Sequence, residues 1–313
     1  MDGTLIRFCF VLTALTAMTS SGVAQGQATI RTETAVGVDG FPLRFSYYPA
    51  IAEKTEEKNV GGLANAGVVI LLHGTDGARI AWDKGSAIPN GGTFPATLQG
   101  AGYAVVTVDL RKHGESLQNG RQDPLQPNDY LAMVSDLKVI KDFLQKEHQE
   151  KKLNMAKMAI VGVGISAPVA VAFAEADWQQ TPYDDSPIPA MKTPRGQDIK
   201  AVALISPDAT AGRLNTQRSV GYLNKQNLAF LFMAGKLDKE GHTLARKCFT
   251  ISGGGTKKGE NRVYVIEPEM KERGTDLFAK NPRFIEAPLF AFLETHVKKL
   301  TIPWADRRSR LDR

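Results

Sequence analysis

Residues 158–167 read Met158-Ala159-Ile160-Val161-Gly162-Val163-Gly164-Ile165-Ser166-Ala167. The first six are apolar or glycine without alternation, which is typical of a strand covered on both faces of a parallel sheet. The glycine and serine that follow indicate a tight turn, and residues 166–177 can form a helix. The stretch therefore predicts a strand, a sharp turn and a helix, which is the repeating unit of an α/β protein.

The same unit recurs on both sides of this stretch. Further apolar runs lie at 68–72, 104–108, 201–205, 228–233 and 263–266, and helix candidates lie at 94–101, 129–148, 213–225 and 283–299. Asn128 is a plausible N-cap for the second of these helices. Residues 30–38 and 41–48 flank Asp39-Gly40, a dipeptide that favours a hairpin turn. We predict an N-terminal antiparallel hairpin followed by a mostly parallel, doubly wound sheet of about eight strands, in one domain over residues 25–313.

The composition excludes several classes of protein. Of 313 residues, 42% are hydrophobic and 23% are charged, which is typical of a globular chain and not of a disordered, collagen-like or coiled-coil one. The net charge of +6 comes without a long basic block, so we expect no nucleic-acid partner. Two segments, 53–66 and the proline-containing 178–199, interrupt the pattern; we expect both at the surface, the second as a loop or a small lid.

The N-terminus has the features of a secretory signal. Arg7 precedes the apolar run 8–18, and the small residues Gly22-Val23-Ala24 follow it. We expect residues 1–24 to be removed and the mature chain to be exported to the periplasm or the extracellular space, with no transmembrane segment. A retained N-terminal anchor is the alternative. Cys9 would leave with the signal, and Cys248 alone cannot form an intramolecular disulfide.

Three motifs fall where predicted parallel strands end, which is where ligands bind in this architecture. They are Leu72-His73-Gly74-Thr75-Asp76-Gly77, Asp109-Leu110-Arg111-Lys112-His113-Gly114-Glu115-Ser116, and Gly162-Val163-Gly164-Ile165-Ser166-Ala167. In this order they resemble the α/β-hydrolase superfamily, particularly its esterase, dienelactone hydrolase and serine aminopeptidase-like members. The resemblance spans about residues 30–300, and it implies the α/β-hydrolase fold and a serine, acid and histidine triad.

The resemblance places the nucleophile at Gly164, which has no side chain. In active members a serine stands at the middle of a G-x-S-x-G turn. A shifted alignment makes Ser166 the alternative nucleophile, but Pro168 follows two residues later, and a serine in the first helical turn more readily caps a backbone N–H. We therefore interpret Ser166 as a packing and capping residue.

The acid and base positions follow from the same resemblance. Asp238 stands at the acid position, and Arg273 stands where the segment Glu272-Arg273-Gly274-Thr275-Asp276-Leu277 would carry the histidine. Arginine stays protonated and cannot accept a proton from serine. Of the five histidines, His242 is the only one with a position that leaves a role as base open. The oxyanion or ligand-binding positions implied by the resemblance are His73, Gly74, Thr75 and Ile165, with Arg273 beside them.

We therefore predict a catalytically inactive hydrolase-fold protein with no cofactor and no metal site. Two interpretations of Arg273 stay open: it binds a small anionic ligand together with backbone N–H groups, or it pairs with Asp238 or Asp276 and fills the gap. The first alternative function is an active carboxylesterase or peptidase-like hydrolase that uses Ser166 with Asp238 on an ester or amide. The second is an envelope interaction scaffold that uses the basic tail 307–310, although we expect that tail to be a solvated terminus.

Overall fold

The computed structural model describes residues 29–52, 62–75, 77–83, 92–280 and 282–312. The predicted signal sequence 1–24 and residues 53–61 of the first predicted surface segment lie outside the described residues. Residues 62–65 of that segment form a short 3₁₀ helix. No helix in the described part of the chain has the length and apolar character needed to cross a membrane.

The centre of the molecule is an eight-stranded sheet. The strands in chain order are β1 (Arg31–Val36), β2 (Pro42–Tyr48), β3 (Val68–Leu72), β4 (Ala104–Asp109), β5 (Met158–Val163), β6 (Ile199–Ile205), β7 (Thr210–Ala211), β8 (Leu214–Asn215), β9 (Ala229–Met233) and β10 (Val263–Ile266). Their order in the sheet is β1-β2-β4-β3-β5-β6-β9-β10, and β7 and β8 form a separate small hairpin. Within the eight-stranded sheet, the β1–β2 and β2–β4 pairings are antiparallel and the other five are parallel. The predicted sheet with its N-terminal hairpin is therefore confirmed.

Seven helices and a C-terminal π-helix flank the sheet in the described residues. They are α1 (Phe94–Gly100), α2 (Pro127–Gln149), α3 (Ser166–Trp178), α4 (Thr216–Lys225), α5 (Lys239–Ile251), α6 (Thr275–Lys280), α7 (Pro282–Leu293) and the π-helix Glu294–Lys298. Helices α5 and α6 were not predicted. The prediction of Asn128 as the N-cap of α2 was wrong: the cap is Gln126, whose backbone N–H donates to Asp129 at 2.6 Å.

The apolar strands bury both faces because the sheet separates two hydrophobic cores. Along β5, Met158 and Ile160 point into one core, where α2, α3, α4 and α5 pack. Ala159, Val161 and Val163 point into the other, against α1, α6 and α7. This two-sided burial explains why the strand sequences lack polar alternation. Because these strands run parallel, their carboxyl ends lie at one edge of the sheet, where the loops after β3, β5, β6, β9 and β10 meet.

The C-terminal tail packs against the domain, which corrects our expectation of a solvated terminus. Arg307 is 6% exposed and donates to Asp198 and to the carbonyl of Gly196. Trp304 stacks on His148 with ring centroids 5.0 Å apart, and its indole N–H donates to the carbonyl of His148 at 2.9 Å. The prediction was wrong because a buried carboxylate, Asp198, sits where the tail passes and needs a cation.

Candidate functional site

The turn between β5 and α3 is built around two glycines. A Cβ placed at Gly162 would lie 2.8 Å from Cα of Ala167 and 2.9 Å from Cβ of Ala170, so α3 approaches β5 this closely only because residue 162 has no side chain. Gly164 has a φ of +54° and accepts hydrogen bonds from the backbone N–H groups of Ala167 and Asp208, at 3.0 and 3.1 Å. The turn thus has a left-handed residue directly before Ile165, the N-cap of α3.

Gly164 leaves space where a side chain would stand. Apart from Gly164 itself and its two chain neighbours, no atom of the described residues lies within 4 Å of a Cβ placed there. In a nucleophile turn the residue at this place presents its oxygen to the pocket from a strained backbone. Glycine adopts the same backbone at little steric cost but brings no reacting atom.

Ser166, the alternative nucleophile, lies in the first turn of α3 and is fully buried. Its hydroxyl donates to the carbonyl of Val163 at 3.0 Å and accepts from the N–H of Val163 at 2.8 Å. The oxygen is therefore directed at the end of β5. These contacts give it a structural role, since they join the end of the strand to the start of the helix.

Arg273 lies among three carboxylates. Its guanidinium donates to Asp208 and to Glu240, each at 2.5 Å, and one of its nitrogens is 3.7 Å from Asp238. Partial burial alone would lower the pKa of Arg273, but the hydrogen bonds to Glu240 and Asp208 outweigh it and raise the pKa above its ordinary value. Arg273 is a permanent cation whose donors are directed at neighbouring acids, and it does not pair with Asp276 as one prediction allowed; Asp276 binds Lys280.

Asp238 is held at the N-terminus of α5. Its Oδ1 accepts from the N–H of Gly241 at 3.1 Å, so it caps the helix. The side chain is 5% exposed, and its Oδ2 has no hydrogen-bond partner within the described residues. Asp208 and Glu240 were not predicted. The signal for Asp208 was available, since it follows β6, whose carboxyl end meets the same sheet edge.

The residues at the predicted oxyanion positions differ in where they lie. His73 is fully buried; its Nε2 accepts from the N–H of Leu110 at 3.1 Å, so its Nδ1 carries the proton and donates to the carbonyl of Gly74 at 2.7 Å. Burial lowers the pKa of His73 to about 4, which keeps the ring neutral. Gly74 and Thr75, by contrast, line the cavity in front of Gly164, while Ile165 is the N-cap residue of α3.

A cavity of about 420 Å³ lies in front of this turn. The described residues that line it are Gly74, Thr75, Gly164, Asp208, Arg273, Gly274, Thr275 and Asp276. It thus brings together four predicted positions from three different loops. Ser166, His73, Ile165 and Asp238 are not part of its lining. None of the described lining residues comes from 178–199, the segment predicted as a loop or small lid.

His242 is engaged away from this cavity. Its Nε2 lies 2.6 Å from Glu267, a residue just after β10 that the sequence analysis missed, and Arg246 reaches the same carboxylate at 3.1 Å. His242 does not line the cavity. As for metals, no cluster of three or more His, Cys, Asp or Glu side chains with a suitable arrangement is present among the described residues.

Comparison with known proteins gives structural relatives only. No protein-family model matches the chain, and no curated protein sequence does. An esterase from Pyrococcus furiosus aligns at 13% identity with a TM-score of 0.55, over 86% of this chain and 92% of that one. A dienelactone hydrolase from Anabaena variabilis aligns at 15% identity and 0.55, over 87% and 99%. An acylaminoacyl peptidase from Pyrococcus horikoshii aligns at 14% and 0.54, over 88% of this chain and 43% of that one. Together with the strand order, these similarities establish that the chain has the α/β-hydrolase fold.

Proposed function

We propose that this chain is a catalytically silent protein with the α/β-hydrolase fold. The observation that carries the proposal is at Gly164, where the turn has the backbone of a nucleophile site but no nucleophile. Export is part of the proposal and is supported only by the sequence of residues 1–24.

The residue at the base position supports the same conclusion. A hydrolase of this kind needs a neutral imidazole that takes the proton of the serine. Arg273 keeps its charge, and its hydrogen bonds to Asp208 and Glu240 make deprotonation still less favourable. Loss of the nucleophile or the base alone costs about a millionfold in a serine hydrolase, so loss of both leaves only binding contributions.

The geometry does not favour either alternative function. An active hydrolase would need the oxygen of Ser166, which is buried and bonded in both directions to Val163. An interaction scaffold would use the basic tail, but Arg307 is buried against Asp198 and Arg308 pairs with Asp306, which leaves Arg310 as the one other arginine of that tail. His242, the remaining candidate base, is paired with Glu267.

The pairing of Arg273 also bears on the ligand. A carboxylate or phosphate in the cavity would have to compete with Asp208, Glu240 and Asp238 for one guanidinium. The ion pairs therefore support the interpretation in which Arg273 fills the gap left by the imidazole. Titration calorimetry with acetate and phosphate tests this: we expect the wild type and Arg273→Ala to behave alike, and binding that Arg273→Ala abolishes would instead support the small-anion hypothesis.

A direct experiment tests catalytic silence. We expect purified protein to release no nitrophenol from 4-nitrophenyl acetate above the buffer rate and to take up no fluorophosphonate probe. Ser166→Ala is the matched control, because it removes the one alternative nucleophile and leaves Gly164 unchanged. Turnover and labelling that disappear in Ser166→Ala would contradict the proposal and establish the active alternative.

A further inference from the structure

A second cavity, of about 200 Å³, lies between α2, α3 and the 178–199 segment. It shares no lining residue with the cavity in front of Gly164. Its main described lining residues are Val134 and Lys138 of α2, Phe173 and Ala176 of α3, and Tyr183 and Arg195 of the segment. Ligand pockets for drug-sized molecules span about 300 to 1,000 Å³, so this one suits a smaller molecule.

The apolar side of this cavity is part of the core. Phe173 is 3% exposed and belongs to the hydrophobic core that α2 and α3 share. Val134 packs against the same core, and Ala176 is half-buried beside it. The apolar surface is therefore preformed, which limits the entropy that the protein loses when a ligand binds.

A cluster of buried ionised side chains closes the back of the cavity, and its positive and negative charges are equal in number. Lys141 pairs with Asp177 and lies 2.6 Å from Asp198, and Arg307 pairs with Asp198 as well. All four side chains are buried, and two cations balance two carboxylates. The cluster therefore orders the cavity wall but leaves no net charge for a ligand.

The cations at the edge of the cavity differ from this cluster. Lys138 and Arg195 are exposed, and neither pairs with a carboxylate in the part of the chain that the structure describes. The Arg195 guanidinium lies 5.0 Å from the ring centre of Tyr183, which holds it beside the opening. Asp142 is the one acid among the lining residues outside the cluster, and burial raises its pKa against the opposing effect of Lys138. One net positive charge remains at the opening.

From this combination we infer a second ligand site, which takes a small amphipathic carboxylate: an apolar body against Phe173 and Ala176, and an anionic head between Lys138 and Arg195. Such a ligand satisfies the unpaired cations and covers the apolar surface at the same time. The inference is independent of what the Gly164 cavity does.

Titration of the whole protein with 3-phenylpropionate tests the site. We expect binding that is about tenfold weaker for the uncharged 3-phenylpropanamide, because one or two partly exposed ion pairs amount to about a factor of ten. The double variant Lys138→Ala/Arg195→Ala should weaken the acid by a similar factor and leave the amide unchanged. Both side chains are exposed, so their loss does not endanger folding.

Three further variants test whether the two probes bind in this cavity. Ala176→Leu puts a larger side chain into the cavity and should abolish binding of both probes. Lys146→Ala removes an exposed cation of α2 that does not line the cavity, and it should have no effect. Arg273→Ala changes the first cavity, and it should leave binding of both probes unchanged. No binding of the acid, equal binding of acid and amide, or a loss in Arg273→Ala rather than in Ala176→Leu would each overturn the inference.

Discussion

The two glycines of the β5–α3 turn respond differently to the same substitution. At Gly164, alanine meets no atom within 4 Å, so the only cost is the left-handed φ of +54°. That conformation costs an L-residue about 1 to 2 kcal/mol, and the lower entropy of the unfolded chain returns about 0.4 to 1 kcal/mol. We therefore expect Gly164→Ala to lower the free energy of unfolding by about 1 kcal/mol.

At Gly162 the cost is steric. The new Cβ would lie 2.8 Å from the Cα of Ala167, which is backbone and cannot move aside without shifting α3 against β5. Overpacking of this kind costs about 1 to 3 kcal/mol, and the backbone contact puts Gly162→Ala at the upper end of that range.

Urea unfolding of the two variants beside the wild type measures the difference. We expect the three proteins to have similar slopes. The urea midpoint should be highest for the wild type, lower for Gly164→Ala and lowest for Gly162→Ala, and the free energies of unfolding of the two variants should differ by about 1 to 2 kcal/mol. Equal losses, or a larger loss at Gly164, would refute the assignment of close approach to residue 162 and of free space to residue 164.

Three further predictions concern the site, the tail and the protonation of the core. Gly164→Ser/Arg273→His introduces a serine and a histidine at the positions that the resemblance assigns to nucleophile and base, and we expect it to hydrolyse 4-nitrophenyl acetate at least about a hundredfold faster than Gly164→Ser alone, since a general base contributes about 10² to 10⁴. Arg307→Met leaves Asp198 buried with one cation fewer, and we expect a loss of about 3 to 5 kcal/mol in urea unfolding. Burial lowers the pKa of His73 to about 4 from 6.5, so the unfolded chain binds the extra proton between these values, and stability should fall by about 3 kcal/mol as pH drops from 6.5 to 4.

Each of these has a matched comparison. Rates of the double variant that equal those of Gly164→Ser would show that residue 273 does not reach the reacting group. Arg308→Met changes a neighbouring, exposed arginine and should cost less than about 1 kcal/mol. His73→Asn should flatten the pH profile of stability, and a profile parallel to that of the wild type would contradict the assignment to this residue.

The sheet was predictable because burial on both faces leaves uninterrupted apolar runs. Helix α5 was missed although Asp238 caps it and Leu244, Ala245 and Cys248 give it a buried face, because the acid at 238 was interpreted only as a site residue. The buried tail was not predictable, since Arg307 and Asp198 are 109 residues apart and neither has a local signal.

The site shows the same limit at smaller scale. The order of the motifs predicted that Gly164, Asp238 and Arg273 lie at one edge of the sheet, because each follows a parallel strand. It did not predict that Asp208 and Glu240 pair with Arg273, because these two residues come from the end of β6 and the first turn of α5. Sequence motifs predict which loops lie together, whereas the pairing of side chains between those loops is seen only in the folded structure.

Gly164 and Arg273 both favour stability. A serine at 164 would keep the left-handed backbone at a cost of about 1 to 2 kcal/mol, and glycine removes that cost. A neutral imidazole at 273 would leave Asp208, Asp238 and Glu240 near one another without a permanent cation, whereas arginine pairs with two of them and lies 3.7 Å from the third. Active sites commonly carry such strain and unbalanced charge at the expense of stability. If the chain is catalytically silent, as we propose, it needs neither the strain nor the unbalanced charge, and Gly164 and Arg273 each relieve one of them.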